Sequence, residues 1–392
     1  MTAVLSAGFV PLVDAAPLII ADVMGFAGEE GLALQLSPAP SWAALRDMLA
    51  GGQVDAAQML APVPVALVLG LGGLSPRFEV LSVLNVNGDV FGVSSDLATR
   101  MRGAGFGFDF ADARAAGMAL LAAAGDQLRI GVPFLFSMHA ELVQYWLDGL
   151  GVPLPGGLQI VTVPPARMAD ALAQGEIDAF CVGEPHGSAA VEMGVGALLL
   201  PGSAVWAFAP EKVLATRAGW AEAEPDLAGR LIRAVWRAGR WLMGAQNRMM
   251  AAEILAAPGR LDMAPEVIER SLTGRLVISP DGAERHVPGF IEFHAGAASF
   301  PWRSQAAWIG VRLARRYGLE PVAAMTAAQA VFRSDLHRQH LRATGADLPG
   351  ASEKLEGSLH RPCAVASERG KLILPMDRFY DAKIFDPADP LR

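Results

Sequence analysis

The chain has 392 residues, of which 52% are hydrophobic, and its 32 basic and 40 acidic residues give a formal net charge of −8. This length exceeds one compact core, so two α/β units, or one unit with a long extension, are expected. The negative charge and the lack of a long basic run argue against a surface for nucleic acid or polyphosphate. With Cys181 and Cys363 as the only cysteines, neither a disulfide framework nor a cysteine metal cluster is expected.

The hydrophobic stretches and the N-terminus bear on the location of the protein. Prolines and glycines interrupt the apolar runs before they reach the roughly 18 residues that a membrane span requires. The first residues enter a strand-like pattern without the basic segment or the cleavage site of a signal peptide. We therefore expect a soluble, cytoplasmic protein, although an exported protein whose signal has been removed would look the same.

Strand-like and helix-like segments alternate along the first half of the chain. The opening segment "AVLSAGFVPLVDAAPLIIADVMGF" is typical of a strand, a turn containing proline and a helix. Ser41 is placed to cap the next helix, which begins near Trp42. The same alternation continues in "EVLSVLNVNGDVFGVSSDL", "QLRIGVPFLFSMHAELVQYWLDGLG" and "LQIVTVPPARMADALAQG". Such alternation predicts largely parallel sheets.

One segment recurs in altered form. The sequence "MLAGGQVDAAQ" at 48–58 parallels "ALAQGEIDAFC" at 171–181, so that Asp55 and Asp178 occupy the same place. In both segments a helix pattern ends at a glycine, and a β-branched residue then leads through the aspartate into small or apolar residues. Chance similarity between two helix ends would explain this, and so would two lobes built on one plan.

The sequence carries no recognisable enzyme motif. G-x-x-x-x-G-K, H-E-x-x-H and G-x-S-x-G are all absent. Glu184, at a strand-to-helix turn, could be a general acid or a structural residue. His337 and His340 share a helix face with two arginines, which favours a solvated basic face over a metal site. We expect a protein that is not an enzyme and that uses neither a cofactor nor a metal.

Three polar donors stand at junctions between strands and helices, where α/β proteins bind small anions. Trp42 opens one helix, His139 opens another and Lys212 follows the loop "AVWAFAPEK". Each has a simpler explanation: Trp42 as core filler, His139 as a structural histidine and Lys212 as a surface lysine.

Several motifs together resemble the nitrate- and bicarbonate-binding proteins of ABC transporters, over about residues 8–385. They are "VDAAPLIIADVMGF", "SWAALRDML", "NVNGDVFGVS", "HAELVQYWL", "FCVGEPH", "APEKVLATRAGW" and "FPWRSQAAWIG". Within this family the chain looks most similar to the cytoplasmic nitrate and nitrite sensors (NasS). The resemblance implies an α/β, two-lobed fold of the type 2 periplasmic-binding-protein class, with a mostly parallel sheet in each lobe and a ligand cleft between the lobes. Lobe 1 would comprise 1–94 and 203–310, lobe 2 would comprise 95–202, and 311–392 would form an extension packed on the body.

The resemblance also implies which residues contact the ligand. Trp42 and His139 match residues that contact the anion, and Lys212 matches the lysine that neutralises it. Asp89 stands where the transport proteins carry an amide, and this is a departure, because like charges about 4 Å apart repel by roughly 4 kcal/mol at an effective dielectric of 20. Asp89 must then be turned away, paired with Lys212 or His139, or protonated; otherwise the preferred ligand differs. Lys212 favours nitrate or nitrite, whereas Asp89 keeps bicarbonate open.

Three hypotheses follow for the function. The first is a cytoplasmic nitrate or nitrite sensor that controls an RNA-binding antiterminator (a NasT-like partner) and itself touches no nucleic acid and no membrane. The second is the solute receptor of a nitrate or bicarbonate ABC transporter. The third, an enzyme on the same fold that makes a pyrimidine vitamin precursor, would rely on a region rich in cysteine or histidine that this sequence lacks.

Overall fold

The computed structural model describes residues 2–73, 76–152 and 157–390. Residues 153–156 of the predicted lobe 2 and residues 391–392 of the predicted extension lie outside the described residues. No helix within the described ranges combines the length and the apolar character needed to cross a bilayer.

Strands and helices alternate as far as the middle of the chain, and helices dominate after it. The strands are β1 Ala3–Phe9, β2 Leu32–Pro38, β3 Ala56–Leu60, β4 Phe78–Asn87, β5 Asp89–Ser94, β6 Leu128–Val132, β7 Leu158–Thr162, β8 Ala179–Gly183, β9 Gly196–Pro201, β10 Pro210–Arg217, β11 Arg275–Val277, β12 Glu284–His286, β13 Ile291–Glu292, β14 Cys363–Ala364 and β15 Ile373–Leu374. The helices are α1 Ala16–Val23, α2 Phe26–Glu29, α3 Trp42–Ala50, α4 Pro62–Val68, α5 Ser95–Gly103, α6 Ala113–Ala124, α7 Met138–Asp148, α8 Met168–Ala173, α9 His186–Glu192, α10 Trp220–Ala223, α11 Pro225–Leu242, α12 Arg248–Ala256, α13 Pro265–Thr273, α14 Arg303–Tyr317, α15 Pro321–Val331 and α16 Ser334–Leu341.

Two mixed sheets form the body. The first has the strand order β13-β4-β10-β3-β1-β2, and the second has the order β7-β6-β8-β5-β9. Strands joined through helices pair in parallel, as β1 does with β2 and β3, and as β6 does with β7 and β8. The prediction of mostly parallel sheets is wrong, because β4, β5, β9 and β10 belong to segments that pass between the lobes and pair antiparallel to their neighbours.

The chain passes from the first sheet to the second at Gly88. This glycine has a φ of 102°, and a Cβ there would lie 2.9 Å from Ile291 Cδ1, so no larger residue fits without a shift. Asn87 ties the outgoing segment to the returning one, since its Nδ2 donates to Ala207 O at 2.9 Å and its Oδ1 accepts from Ala209 N at 3.1 Å. The two crossings therefore form one cross-linked hinge.

Two of the predicted domain boundaries need correction. β5 pairs with β8 and β9 of the second sheet, so the first crossing lies at Gly88 and not at 94/95. The boundary at 310/311 falls inside α14, whose helical pattern continues to Gly318, where a φ of 68° ends the helix.

The two recurring segments have the same structure. Asp55 Oδ2 accepts a hydrogen bond from Ser6 N on β1, and Asp178 Oδ2 accepts one from Arg129 N on β6, each at 2.9 Å and each across 49 residues. The backbone N–H of each aspartate also donates to the carbonyl of that same partner. In both lobes this aspartate therefore joins the third parallel strand to the first.

The C-terminal part contacts the helix that carries His139. Tyr380 Oη donates to Trp146 O at 2.7 Å, and Tyr145 Oη donates to Asp381 Oδ1 at 2.7 Å. The carboxylate of Glu141, which is fully buried, pairs with Arg316 of α14. These contacts hold α7 against the C-terminal part of the chain.

Candidate functional site

Ends of strands from both sheets meet in a group of buried polar residues that we call the cleft cluster. No member is more than 3% exposed. The cluster consists of Asp14, Asp89, His139, Glu211 and Lys212, and Trp42 lies beside it. The structure thus brings together all four side chains that the sequence predicted at the ligand: Trp42, Asp89, His139 and Lys212.

Lys212 lies at the centre of the cluster. Its strand, β10, runs between β3 and β4, where Lys212 faces Leu60 and Asn85, and the side chain is 0% exposed. Its Nζ lies 2.8 Å from Asp14 Oδ2 and 2.7 Å from Glu211 Oε1. Burial by itself would lower the pKa of Lys212, but the two carboxylates outweigh burial and the pKa is raised. The simpler explanation, a surface lysine, is wrong.

Glu211 links Lys212 to the second lobe. Its Oε1 accepts a hydrogen bond from Lys212 Nζ and lies 3.1 Å from His139 Nδ1, although the angle there is not that of a hydrogen bond. Burial raises the pKa of Glu211 to about 8, against the opposing effect of the Lys212 charge. A carboxyl group of this chain thus stands between two side chains that were expected to bind the anion.

Asp14 is the other partner of Lys212. It lies in the 3₁₀ turn Val13–Ala15 directly after β1. Gln58 of β3 orients its carboxylate: Gln58 Nε2 donates to Asp14 Oδ1, while Gln58 Oε1 accepts from Val10 N at 2.9 Å. Burial raises the pKa of Asp14, while Lys212 opposes the rise.

His139 occupies the first turn of α7. Ser137 caps this helix by accepting a hydrogen bond from Ala140 N at 3.1 Å. Burial, followed by the charge of Lys212, lowers the pKa of His139 well below its usual value, so the imidazole is neutral and offers one N–H. Gly183 at the end of β8 lies beside the ring: a Cβ there would be in ordinary van der Waals contact with His139 Nε2, at 3.8 Å, and would crowd Leu12 Cδ2, at 3.1 Å.

Asp89 is the first residue of β5, directly after the hinge glycine. Its Oδ2 accepts a weak hydrogen bond from Cys181 Sγ at 3.7 Å. Burial raises the pKa of Asp89 to about 6, with Lys212 opposing. Of the outcomes expected for this residue, pairing with Lys212 or His139 is not observed. The carboxylates within ion-pair distance of Lys212 are those of Asp14 and Glu211, and the carboxylate beside His139 is that of Glu211.

Trp42 begins α3, which Ser41 caps by accepting a hydrogen bond from Ala44 N at 3.2 Å. The ring is 1% exposed, and Lys212 Nζ lies 5.4 Å from its centroid, within the range of a cation–π contact. Trp42 is thus part of the core and also a wall of the cleft cluster, so the two alternatives considered for it are compatible.

Several buried polar atoms of the site lack a hydrogen-bond partner among the described residues. They are Trp42 Nε1, Asp89 Oδ1, both ring nitrogens of His139 and Glu211 Oε2. A buried polar atom left without a partner costs about 1–3 kcal/mol, so a group of them in one place points to a ligand. Donors and acceptors are both present in this set.

A cavity of 410 Å³ opens at the edge of the lobe interface. Lobe 1 lines it with Pro11 and Pro40, and lobe 2 lines it with Pro165 and His186. Its wall also includes Val10, whose N–H binds the Gln58 that holds Asp14. Solvent therefore reaches the interface near the cleft cluster, whereas the cluster itself is closed.

Asp14, Gln58 and Glu211 were not predicted from the sequence. The predicted site consisted of donors to an anion, whereas a lysine buried among them also requires carboxylates of the protein to neutralise it. Two signals were available: Asp14 lies inside the quoted motif "VDAAPLIIA", and Glu211 directly precedes Lys212. Gln58 ends the first recurring segment at the position where Cys181 ends the second, and each of these residues meets a carboxylate of the cluster.

Comparison with known proteins places the chain in a family. The model of the NMT1-like family matches residues 2–256. The chain belongs to the NMT1-like family. It is also 27% identical over 365 residues to the bicarbonate-binding protein CmpA of Synechococcus elongatus, covering 88% of this chain and 80% of that protein.

The fold is shared with a crystallised relative. The periplasmic nitrate-binding protein NrtA from Synechocystis PCC 6803 superposes with a TM-score of 0.84 at 26% identity, covering 99% of this chain and 97% of that one. The predicted two-lobed, periplasmic-binding-protein-like α/β fold is therefore confirmed.

The chain spans only part of some relatives. It is 31% identical over 390 residues to the nitrate import ATP-binding protein NrtC of Synechococcus elongatus, which covers 98% of this chain but 54% of that protein. The chain thus corresponds to about half the length of this relative.

Proposed function

We propose that this chain is a solute-binding protein, or solute-binding module, that holds one small planar oxyanion between its lobes and works with an ABC-type importer. The observation that carries the proposal is the group of buried donors at the lobe interface: Lys212 Nζ, one imidazole N–H of His139 and Trp42 Nε1. Similarity to a nitrate-binding and a bicarbonate-binding protein supports the ligand class.

Nitrate suits such donors because it offers only acceptor oxygens and spreads one charge over them. Lys212 would neutralise the charge, and its short bonds to Asp14 and Glu211 hold the ammonium in place. Trp42 and His139 would direct N–H groups at the oxygens from opposite lobes. Closing the lobes would then exclude water from the anion, which strengthens each of these interactions.

Asp89 bears on the choice between nitrate and bicarbonate. Bicarbonate has an O–H group that donates a hydrogen bond to an ionised carboxylate, whereas nitrate has no such donor and is repelled by that carboxylate. Asp89 Oδ1, buried and without a partner among the described residues, would accept that hydrogen bond. We expect nitrate or nitrite to be preferred because Lys212 is present, and Asp89 to reduce that preference.

Calorimetry with nitrate, nitrite and bicarbonate, each with and without calcium, tests the proposal. We expect saturable 1:1 binding of nitrate or nitrite that does not require calcium. Failure of both anions to bind at millimolar concentration would overturn this choice of ligand, and calcium-dependent binding of bicarbonate alone would assign the site to bicarbonate.

A second candidate is a cytoplasmic sensor of nitrate or nitrite that regulates an RNA-binding antiterminator of the NasT kind. Its support is the resemblance of the motifs to the sensor branch, whereas the similarity to transport proteins favours the first candidate. The two are separated by locating the native protein in fractionated cells and by capturing partners with and without nitrate. Nitrate-dependent release of an RNA-binding protein from the cytoplasmic chain would favour the sensor; recovery with a membrane transporter would favour the solute-binding protein.

A further inference from the structure

The cleft cluster contains more acidic groups than its single ammonium can neutralise. Lys212 is in direct contact with Asp14 and Glu211, and Asp89 is a third buried carboxyl group nearby. His139 adds no positive charge, because its pKa is lowered well below the usual value. An anion that entered this cluster would therefore meet carboxyl groups of its own sign.

Glu211 is the carboxyl group best placed to respond to the anion. Its Oε1 accepts the hydrogen bond of Lys212 and lies 3.1 Å from His139, so the residue stands among the predicted donors. Its Oε2 is buried and has no hydrogen-bond partner among the described residues. A proton on Oε2 would remove the charge of Glu211 and turn an unpartnered acceptor into a donor.

The titratable groups that act on Glu211 come from five elements. Lys212 is its neighbour on β10, Asp14 lies in the turn after β1, and His139 lies on α7. Asp89 on β5 and the Cys181 thiol on β8 complete the set. Only Lys212 among them is cationic, so a second negative charge beside Glu211 favours protonation of Glu211.

We propose that the cleft cluster takes up one oxyanion together with one proton, which comes from solvent, binds Glu211 at Oε2 and is then donated in a hydrogen bond to the anion. This inference rests on the proposed function and adds to it that Glu211 is a binding residue. The reaction forms one O–H bond on Glu211, and nothing is oxidised or reduced. Where the proton enters with the anion, the net charge of the cluster is the same before and after binding.

The expected pH dependence follows from the groups in the cluster. Burial raises the pKa of Glu211 to about 8, so at pH 7 its proton is present in about nine molecules of ten before the anion arrives. Above pH 8 the proton must be taken up on binding, and the affinity then falls by up to about tenfold per pH unit. Asp89 titrates lower, with a pKa of about 6, and burial raises the pKa of the Cys181 thiol well above its usual value, so neither group accounts for a change centred near pH 8.

Calorimetry of nitrate binding, in buffers of different ionisation enthalpy, measures the protons taken up. Nitrate does not titrate in this range. For the unmodified protein we expect uptake to rise from near zero at pH 6.5 towards one proton at pH 9. We expect Glu211→Gln to bind nitrate with the same affinity at both pH values and with no uptake, whereas Glu356→Gln, at a buried carboxyl group away from the cluster, keeps the unmodified profile.

The outcomes separate this inference from the function on which it rests. Nitrate binding by the unmodified protein with no proton uptake at pH 9 would overturn the proton coupling and leave the proposed function standing. A Glu211→Gln protein that kept the unmodified pH profile would also overturn it. If Glu211→Gln does not fold, the measurement on the unmodified protein decides alone. If the unmodified protein binds none of nitrate, nitrite and bicarbonate at any pH, the proposed function and this inference are overturned together.

Discussion

Lys212, which is fully buried, and Lys354, whose side chain is 12% exposed, stand in similar surroundings but differ in which polar groups around them remain unsatisfied. Lys212 in the cleft cluster and Lys354 in the C-terminal part each pair with two carboxylates, and each lies within 6 Å of a tryptophan ring, 5.4 Å from that of Trp42 and 5.8 Å from that of Trp302. Each cluster thus consists of one ammonium, two carboxyl groups and an indole ring.

The difference lies in the carboxylates around each lysine. Near Lys354, Glu356 Oε1 accepts from Ser304 Oγ at 2.6 Å, and Asp377 Oδ1 accepts from Leu359 N at 2.8 Å. Near Lys212, the second oxygen of Glu211 and both nitrogens of His139 have no partner among the described residues. The carboxylates of a structural cluster find their partners within the protein, whereas a binding site keeps some of its polar groups for a ligand.

The largest effect is expected from removing each lysine. Lys212→Met removes the cationic partner of two buried carboxyl groups, those of Asp14 and Glu211, which destabilises the fold by about 3–5 kcal/mol, and it removes the charge that neutralises the anion. Lys354→Met likewise removes the cationic partner of Glu356 and Asp377 and should lower the free energy of unfolding by a similar amount. Urea unfolding and nitrate calorimetry on both variants test whether the two lysines differ in function.

We expect nitrate binding to be lost only in Lys212→Met. The Lys354→Met protein controls for general destabilisation, because its cluster lies outside the lobe interface. Equal nitrate affinity in the two variants would show that Lys212 is a structural lysine like Lys354.

A smaller effect, dependent on pH, is expected for Asp89→Asn. Burial raises the pKa of Asp89 to about 6, whereas in the unfolded chain its pKa is near 4. Between about pH 4 and pH 6 the carboxyl group of Asp89 is therefore protonated in the native protein and ionised in the unfolded chain. The unfolded chain binds fewer protons in that window, so stability falls as the pH rises from 4 to 6 and stays lower above 6, by about 3 kcal/mol.

Asparagine has no carboxyl group to ionise, so Asp89→Asn does not lose stability in this way. The difference in unfolding free energy between Asp89→Asn and the unmodified protein should therefore grow from pH 4 to pH 7. The variant should also bind nitrate more tightly relative to bicarbonate at pH 7, because a repelling charge is gone. Urea unfolding at several pH values and calorimetry with both anions measure the two effects. A stability difference that does not change with pH would mean that Asp89 is already neutral at pH 7.

The structure shows which features could be predicted from local sequence. Asp55 and Asp178 stand at the same place in two recurring segments, and in the structure both make the same bond to the first strand of their sheet. Trp42 and His139 lie in first helical turns after capping serines, a pattern visible in the sequence. Such features depend on residues close together in the chain.

Features that depend on distant pairing were not predicted. Lys212 is buried because β10 inserts between β3 and β4, and no local pattern reports that insertion. His337, expected on a solvated face, is 1% exposed, and its Nδ1 lies 2.9 Å from Ser82 Oγ of β4. Burial of this ring lowers its pKa to about 4. In both cases a polar side chain is placed by a strand far away in sequence.

The smallest effect is expected at the two tryptophans. Trp42→Phe keeps an aromatic face towards Lys212 and removes the indole N–H, which we expect to donate to the anion. Loss of one hydrogen bond to a charged group costs about 1.5–3 kcal/mol, a decrease in nitrate affinity of about 10- to 150-fold.

Trp302→Phe is the matched control, because its indole Nε1 is also buried without a partner among the described residues and its ring also faces a lysine. Nitrate affinity should be unchanged in this protein, while both variants lose a similar, small amount of stability. Because the two tryptophans differ chiefly in whether a ligand donor set surrounds them, equal nitrate affinity in both variants would place Trp42 among the structural residues. A decrease confined to Trp42→Phe would instead assign its N–H to the anion.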